Sequence, residues 1–392
     1  MSLCYDKNVS LGGDKMAVKH YPGETLGIIG SSMSTVLVAQ EAGKLGYKVA
    51  SLVTQEDNII RQFSSWQTVT ESYNRNALEY FGERVDVVFV EKGLLSNQSY
   101  QILSRYTDVV LSEDLMAMTT DRLIEKAYLD SHKILVAPFS LVTSLLDIKE
   151  AIEYIGFPAV LKFTQRNIEA ERDHLILYSE EDFEEAEAKL NIGSCILESW
   201  IPTEKRVSLT VVRNERGEIL LYPTFEVINQ GNLTGEQVRY PANVERFIEN
   251  EMYRIGQYLA DELKLIGSLT LTFLVTSASV MYLNNASVGL SNEAIFTLGS
   301  MSVSHFEATV RAILGLPLPK LRIEHKAAIS YPMEVLNEES VLTQFMLRTD
   351  WGFAFFNPAG QIQGPLRGQV IVTGESLDSC QRQLDITNLL AK

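Results

Sequence analysis

Residues 25–54 read TLGIIGSSMSTVLVAQEAGKLGYKVASLVT, and they decide the fold class. TLGIIG is a short apolar run of strand length, SSMSTVLVAQEAGKLG carries helical apolar spacing, and YKVASLVT is a second strand. Strand, turn, helix and strand in this order begin a doubly wound α/β sheet, because a parallel partner needs a crossover helix. The alternation continues with NALEYFG as helix, RVDVVFVE as strand, NQSYQILSRY as helix and DVVLS as strand. A first, Rossmann-like domain is therefore expected over 24–115, after a leader over 1–23. That leader, MSLCYDKNVSLGGDKMAVKHYPG, lacks the apolar stretch of a signal peptide and reads as a loose or appended extension.

Beyond it the pattern becomes α+β. MTTDRLIEKAYLDSHKI reads as one helix, VAPFSLV as an extended link, and SLLDIKEAIEYIG as a helix stopped by Gly156-Phe157-Pro158. Strands AVLKFT, HLILYS and SCILESWI follow, then a hairpin around Arg216-Gly217 and a helix over 243–263. The run SLTLTFLVTSASVMYLNNASVGLSNEAIF, 268–296, reads as two strands about a Ser-Ala-Ser turn, with a polar tip at Asn284–Asn285. A second domain is expected over 116–318. The remainder, 319–392, alternates and turns often, as in WGFAFFNPAGQIQGPLRGQVIVTGES, and reads as a small β-rich domain.

Composition excludes several function classes. With 34 Lys and Arg against 50 Asp and Glu, the formal charge is −16, opposite to what nucleic-acid or anionic-membrane binding requires. Segments such as SEEDFEEAEAKL account for the acidity as solvated helix faces. Cys4, Cys195 and Cys380 are isolated and lack metal-ligand spacing, as do the five histidines. Three scattered thiols and no apolar run of spanning length imply a soluble protein of a reducing, cytoplasmic compartment.

Several words in this order carry a family resemblance: LGYKVASL, DRLIEK..LDS..ILVAPF, GFPAVLK, CILESWIP.EK.VSL.VVRNERGEILLYPTFEV and HFEATVRAILGLPLP. Over about residues 25–375 the chain resembles the ATP-grasp ligases, and among them 5-(carboxyamino)imidazole ribonucleotide synthetase. The resemblance implies an ATP-grasp fold with ATP held between two lobes, magnesium and bicarbonate as co-reactants, and carboxylation of aminoimidazole ribonucleotide in purine synthesis. It also implies a homodimer and a small-molecule ligand in the interlobe cleft. It assigns a phosphate-contacting role to Lys162, adenine-edge recognition to the linker Glu198, Ser199, Trp200 and Ile201, and a family acid to Glu226. An ordinary strand-end lysine, a strand leaving the core and a solvated carboxylate would look the same.

Other positions depart from the family pattern. Its glycine-rich phosphate loop after the lysine corresponds to FTQRNIEAERD, with Glu169 and Glu171 near the places of an acid and a lysine. Without glycine, backbone amides close poorly over phosphate. Arg206, eight positions after Glu198, replaces the ribose-binding acid, and a guanidinium only donates hydrogen bonds. Asn229 replaces a histidine and Val110 an arginine, while Ser31 and Ser32 interrupt a glycine-rich first turn but retain donors. The two magnesium acids correspond to Thr272 and Asn285, and an arginine and a histidine nearby to Gly289 and Ser291. Glu293 reads either as a substitute ligand or as a helix-start acid. These replacements lead to the expectation of a ligase fold without ligase chemistry, acting as a binding or partner protein unresponsive to Mg-ATP. An active synthetase and an ATP-grasp ligase with another acceptor are the alternatives.

Overall fold

The computed structural model describes residues 19–56, 58–91, 93–110, 113–166, 174–229, 236–356 and 366–390. Glu169 and Glu171 lie outside the described residues, as does the leader up to residue 18.

The opening stretch folds as its pattern dictates. Strand β1 (Thr25–Ile29) leads through Gly30 into helix α1 (Met33–Lys44) and strand β2 (Lys48–Val53). Strand β3 (Trp66–Val69), helix α2 (Arg75–Gly82), strand β4 (Val87–Val90), helix α3 (Asn97–Leu103) and strand β5 (Asp108–Val109) complete the unit. The strands pair in parallel in the order β3-β2-β1-β4-β5, with the topological switch between β1 and β4. Apolar residues on both faces, such as Leu26, Ile28, Ile29 and Val87, are fully buried, as a sheet covered on both sides requires.

The single helix expected over the following segment is two, α4 (Glu113–Thr120) and α5 (Arg122–Ser131). Asp121 separates them because its carboxylate accepts from the amides of Leu123 and Ile124, which caps a new helix. The VAPFSLV link contains strand β6 (Phe139–Val142). Helix α6 (Leu145–Ile155) starts at a reciprocal Ser144–Asp147 capping box and ends at Gly156. Strands β7 (Ala159–Phe163) and β8 (His174–Leu177), helix α7 (Phe183–Leu190) and strand β9 (Cys195–Ser199) close a four-stranded sheet, β6-β9-β7-β8.

A larger, mainly antiparallel sheet faces it. Its strands are β10 (Lys205–Arg213), β11 (Ile219–Leu221), β12 (Phe225–Asn229) and β13 (Glu236–Tyr240). After helix α8 (Arg246–Glu262) come β14 (Gly267–Val275) and β15 (Met281–Val288). Gly256 lets α8 approach β10: a Cβ there would meet Leu209 and Val211 side chains at 2.8 and 2.9 Å. Asn284–Asn285 is not a hairpin tip, because both residues lie within β15. Thr272 pairs with Asn285 while Phe273 pairs with Leu283, so Asn284 is the extra residue of a β-bulge. Bulges bend a strand and re-aim its side chains.

Helices α9 (Thr297–Ser300) and α10 (His305–Ile313) follow, and α10 packs against α1 through a cluster including Val36, Phe306 and Val310. The C-terminal part contains β16 (Ala327–Pro332), α11 (Glu338–Leu347), β17 (Gly352–Phe355), β18 (Gly368–Gly374) and α12 (Leu377–Thr387). It has its own apolar cluster around Tyr331, Trp351 and Val372, yet β16 pairs with β13 and prolongs the large sheet. The alternating pattern does not announce α11 or α12. Among the described residues no helix is long and apolar enough to cross a membrane.

Candidate functional site

Between the two antiparallel sheets lies a polar cavity of about 270 Å³, lined by Arg122, Glu125, Lys126, Lys162, Arg166, Glu198, Arg206, Thr272, Asn284, Asn285 and Glu293. Three pieces of local structure assemble it. Arg122, Glu125 and Lys126 stand at i, i+3 and i+4 on α5, so one helix face presents all three. Lys162 on β7 and Glu198 on β9 are diagonal neighbours on one face, since Lys162 pairs with Ile196 and Val160 with Glu198. On the large sheet, Ser208 pairs with Thr272 and Thr272 with Asn285, which places Arg206, Ser208, Thr272 and Asn285 along one face.

Glu198 is 3% exposed and lies 3.1 Å from Lys162 Nζ and 3.6 Å from Lys126 Nζ. Burial alone would raise its carboxyl, but the two ammonium groups outweigh burial and hold it below the usual range. Lys126 is 2% exposed, and burial lowers its ammonium despite the attraction of Glu198. Its Nζ makes no hydrogen bond among the described residues. Arg122 donates to the carbonyl of Phe163 at 2.9 Å, tying α5 to the end of β7.

Arg166, just beyond the end of β7, bridges helix α5 and strand β15. One terminal nitrogen donates to the carbonyls of Met118 at 3.3 Å and Thr119 at 3.1 Å. The other donates to the Glu125 carboxylate and, at 2.7 Å, to Asn285 Oδ1. Glu125, with no exposed surface, also accepts from the amide of Ala286. Arg206 pairs with Glu236 and lies 3.7 Å from Glu293. Ser208 shares a hydrogen bond with Thr272 at 3.1 Å and donates to Glu293 at 3.2 Å. Burial raises the Glu293 carboxyl, only partly countered by Arg206.

Several residues named from the sequence meet here, namely Lys162, Glu198, Arg206, Thr272, Asn285 and Glu293. Others do not line the cavity. Glu226, on β12, accepts from the amide of Asn243 at 3.0 Å. The Ser199 and Trp200 amides donate to the carbonyls of Pro138 and Pro158, Trp200 is 42% exposed, and Ile201 follows them. Asn229 ends β12, and its side chain lies outside the described residues. Val110 and Gly289 line a separate, mostly apolar cavity of about 50 Å³ against the first sheet. Ser291 accepts from the Glu293 amide and so starts the short turn Asn292–Phe296. Sequence reasoning missed Arg122, Glu125, Lys126 and Arg166; the i, i+3, i+4 spacing of the first three was the available signal.

The first-domain turn is also filled from within. The amides of Ser31 and Ser32 donate to Glu91 Oε2 at 3.1 and 3.3 Å. Gly30 has φ +128°, and a Cβ there would meet that oxygen at 2.1 Å, so the carboxylate sits hard against the turn. A helix N-terminus attracts an anion, and this one holds the chain's own.

The cavity's donor set does not fit a magnesium ion. Magnesium asks for one or two carboxylates at octahedral geometry, and each carboxylate here is committed elsewhere. Glu125 is matched to Arg166, Glu198 to two lysines, and Glu293 is held by Ser208 and Arg206. Thr272 and Asn285 offer neutral oxygens that are engaged by Ser208 and Arg166.

Residues 127–306 match the ATP-grasp domain family. The chain is 31% identical over 300 residues to N5-carboxyaminoimidazole ribonucleotide synthase of Bacillus subtilis (strain 168), covering 76% of this chain and 78% of that one. It superimposes on the crystal structure of an ADP complex of N5-carboxyaminoimidazole ribonucleotide synthetase with TM-score 0.85 and 26% identity, covering 94% of this chain and 97% of that one. The Staphylococcus aureus synthetase complexed with ADP gives TM-score 0.84 at 23% identity, covering 94% of this chain and 98% of that one.

Proposed function

The chain belongs to the N5-carboxyaminoimidazole ribonucleotide synthase family of ATP-grasp proteins, and from that premise we propose that it has kept the family's cleft and given up its metal-dependent ligase reaction, acting as a binding protein. One observation carries this reading. At the paired positions Thr272 and Asn285, where the resemblance puts two magnesium acids, neutral side chains are bound to Ser208 and to the Arg166 guanidinium. Loss of a catalytic metal clamp removes several kcal/mol of transition-state stabilisation, and each ~1.4 kcal/mol is about tenfold in rate. The internal carboxylate at the first-domain turn supports the same reading, since Glu91 takes the amides that a substrate phosphate would need.

The test is turnover. Purified protein given Mg-ATP, bicarbonate and aminoimidazole ribonucleotide should release no ADP above a protein-free control. Substrate-dependent ADP release at rates of about 1 s⁻¹ or more, ordinary for enzymes, would sink the proposal. A second reading, an active synthetase, draws on the Lys126–Glu198–Lys162 cluster in the cleft and on the activity for which the relatives are named. The same assay decides between the two. The homodimer expected from the resemblance belongs to this proposal as well, and light scattering on the purified chain tests it.

A further inference from the structure

We propose that His20 is a pH-operated clasp: as an imidazolium it bridges Glu24 and Asp108, and so holds the chain's entry into the first domain to the strand by which it leaves. His20 Nδ1 lies 3.0 Å from Glu24 Oε2, and Nε2 lies 3.1 Å from Asp108 Oδ2. A carboxylate only accepts hydrogen bonds, and a neutral imidazole has a single N–H to give. The cation alone satisfies both contacts at once. His20 is 6% exposed, so water has little access to replace the contact that a neutral ring would lose. Lys19 Nζ, 2.6 Å from Asp108 Oδ2, completes a cluster of two basic and two acidic side chains, none of which lines the polar cleft.

The cluster stands where a small interaction has leverage. Glu24 immediately precedes β1, whereas Asp108 begins β5, at the edge of the first sheet. That strand is two residues long, Asp108 and Val109 paired with Val87 and Val88, so a short ladder holds this edge. Beyond it the chain leads to α4 and then to α5, which carries Arg122, Glu125 and Lys126 of the cleft. The surrounding groups favour the charged ring. Burial alone would lower its pKa, but hydrogen bonds to Asp108 and Glu24, and their charges, outweigh burial and raise it above 6.5. Asp108 is held below the usual carboxylate range, first by its bond to His20 and then, against burial, by Lys19, so it stays an acceptor. From the turn before β2, the Tyr47 hydroxyl donates to the His20 carbonyl at 2.7 Å, and burial beside Glu24 raises that phenol to about 12. Asp86, just ahead of β4, accepts from the Thr25 amide at 2.8 Å. The end of α10 reaches the segment at Gly315, where a Cβ would come within 3.0 Å of Lys19 Cβ, and Glu307 and Arg311 of that helix pair with each other.

Because the folded-state value is raised, the stability that the clasp contributes is fully present below about pH 6.5 and is lost as pH rises through that value. Two measurements on the full chain test this. Histidine side-chain NMR, with the His20 signal assigned by its absence in His20→Gln, should give a titration midpoint above 6.5 in the folded protein. Trypsin cleavage after Lys19, identified by mass spectrometry, reports how often the segment opens. Glu24→Ala leaves the Lys19–His20 bond itself unaltered. At about pH 6 it should be cut roughly tenfold faster than the parent, the scale of one charge-assisted hydrogen bond. Well above the midpoint a neutral ring has one N–H, which Asp108 alone can accept, so Glu24 becomes dispensable and the variant-to-parent ratio should fall toward one. Taking the ratio at each pH removes the protease's own pH dependence. A His20 midpoint at or below 6.5 would overturn the proposal. So would a cleavage ratio near one in mild acid, or a ratio that does not change with pH. Should Glu24→Ala fail to fold, the titration of the unaltered chain still decides.

Discussion

The Arg166–Glu125 pair fixes the wall of the cleft, and removing one partner should expose how much depends on it. Glu125 has no exposed surface and Arg166 is 16% exposed by side chain. Arg166→Met strands a buried carboxylate that keeps, among the described residues, the hydrogen bond from the Ala286 amide. Breaking a buried pair in this way costs about 3–5 kcal/mol, and the partial exposure of Arg166 puts the expectation near 3. Glu125→Gln keeps an oxygen for Ala286 and loses the charge, leaving an arginine that still has Asn285 and two carbonyls, for about 1–2 kcal/mol. In the double variant no charge is stranded, so its cost should stay near 2–3 kcal/mol instead of the sum of roughly 4–5. Urea unfolding followed by fluorescence and far-UV circular dichroism, with coincident transitions and unchanged m, measures each corner of the cycle. If the double variant is additive to within about 0.5 kcal/mol, the two groups do not act as a pair, and the account of this wall of the cleft fails with them.

Acid should destabilise the fold through His305, which is fully buried and held near pKa 3 by desolvation, against 6.5 for the free group. A depressed base contributes stability that is present above pH 6.5 and lost on acidification, about 2 kcal/mol between pH 6.5 and 5; thermal unfolding of His305→Gln across that range should be flatter than that of the parent. Gly30→Ala should cost more than a helix-interior exchange, because φ is +128° and the Glu91 oxygen lies 2.1 Å from the new methyl; a chemical-denaturation midpoint equal to the parent's would contradict the crowding. Burial raises the thiols of Cys195 and Cys380 to about 11, so both should resist Ellman's reagent in the folded protein and react once it is unfolded. Asn285→Asp should set a second carboxylate beside Glu125 on Arg166 and so cost stability, without creating magnesium-dependent ATP hydrolysis; a magnesium-dependent phosphate release by that variant would show that the guanidinium yields to metal.

The start of the first sheet was legible because its periods agree: an apolar strand, a helix and a second apolar strand admit one parallel arrangement, whereas β3, nowhere fully buried along WQTV, was not read from the sequence. The break at Asp121 was harder to see, since the helical spacing runs through it and only the capping bonds to Leu123 and Ile124 reveal two helices. Helix α11 escaped for a different reason. Its Leu342, Phe345, Met346 and Leu347 are exposed, so its sequence lacks the buried stripe that periodicity detects. Asn284 was misplaced because a bulge adds one residue to a strand, and a strict two-residue alternation cannot represent it.

The site divides along a similar line. The departures from the resemblance are readable position by position: the family motif names one residue type at 206, 272 or 285, and another stands there. The contacts that the residues present make depend on tertiary reach. Arg166 lies in the run that the resemblance aligns with the glycine-rich loop, where its presence registers only as a missing glycine. Its chemistry comes from a helix 41 positions earlier and a strand 119 positions later, at Glu125 and Asn285. The same exchange then accounts for both ends of the contact. A side chain of five donors at 166 needs neutral or anionic acceptors, Asn285 is one, and an acid at 285 beside Glu125 would place two carboxylates on one guanidinium. The residues at 166 and 285 thus depend on each other, and Asn285→Asp or Arg166→Gly alone should be less stable to urea than the parent.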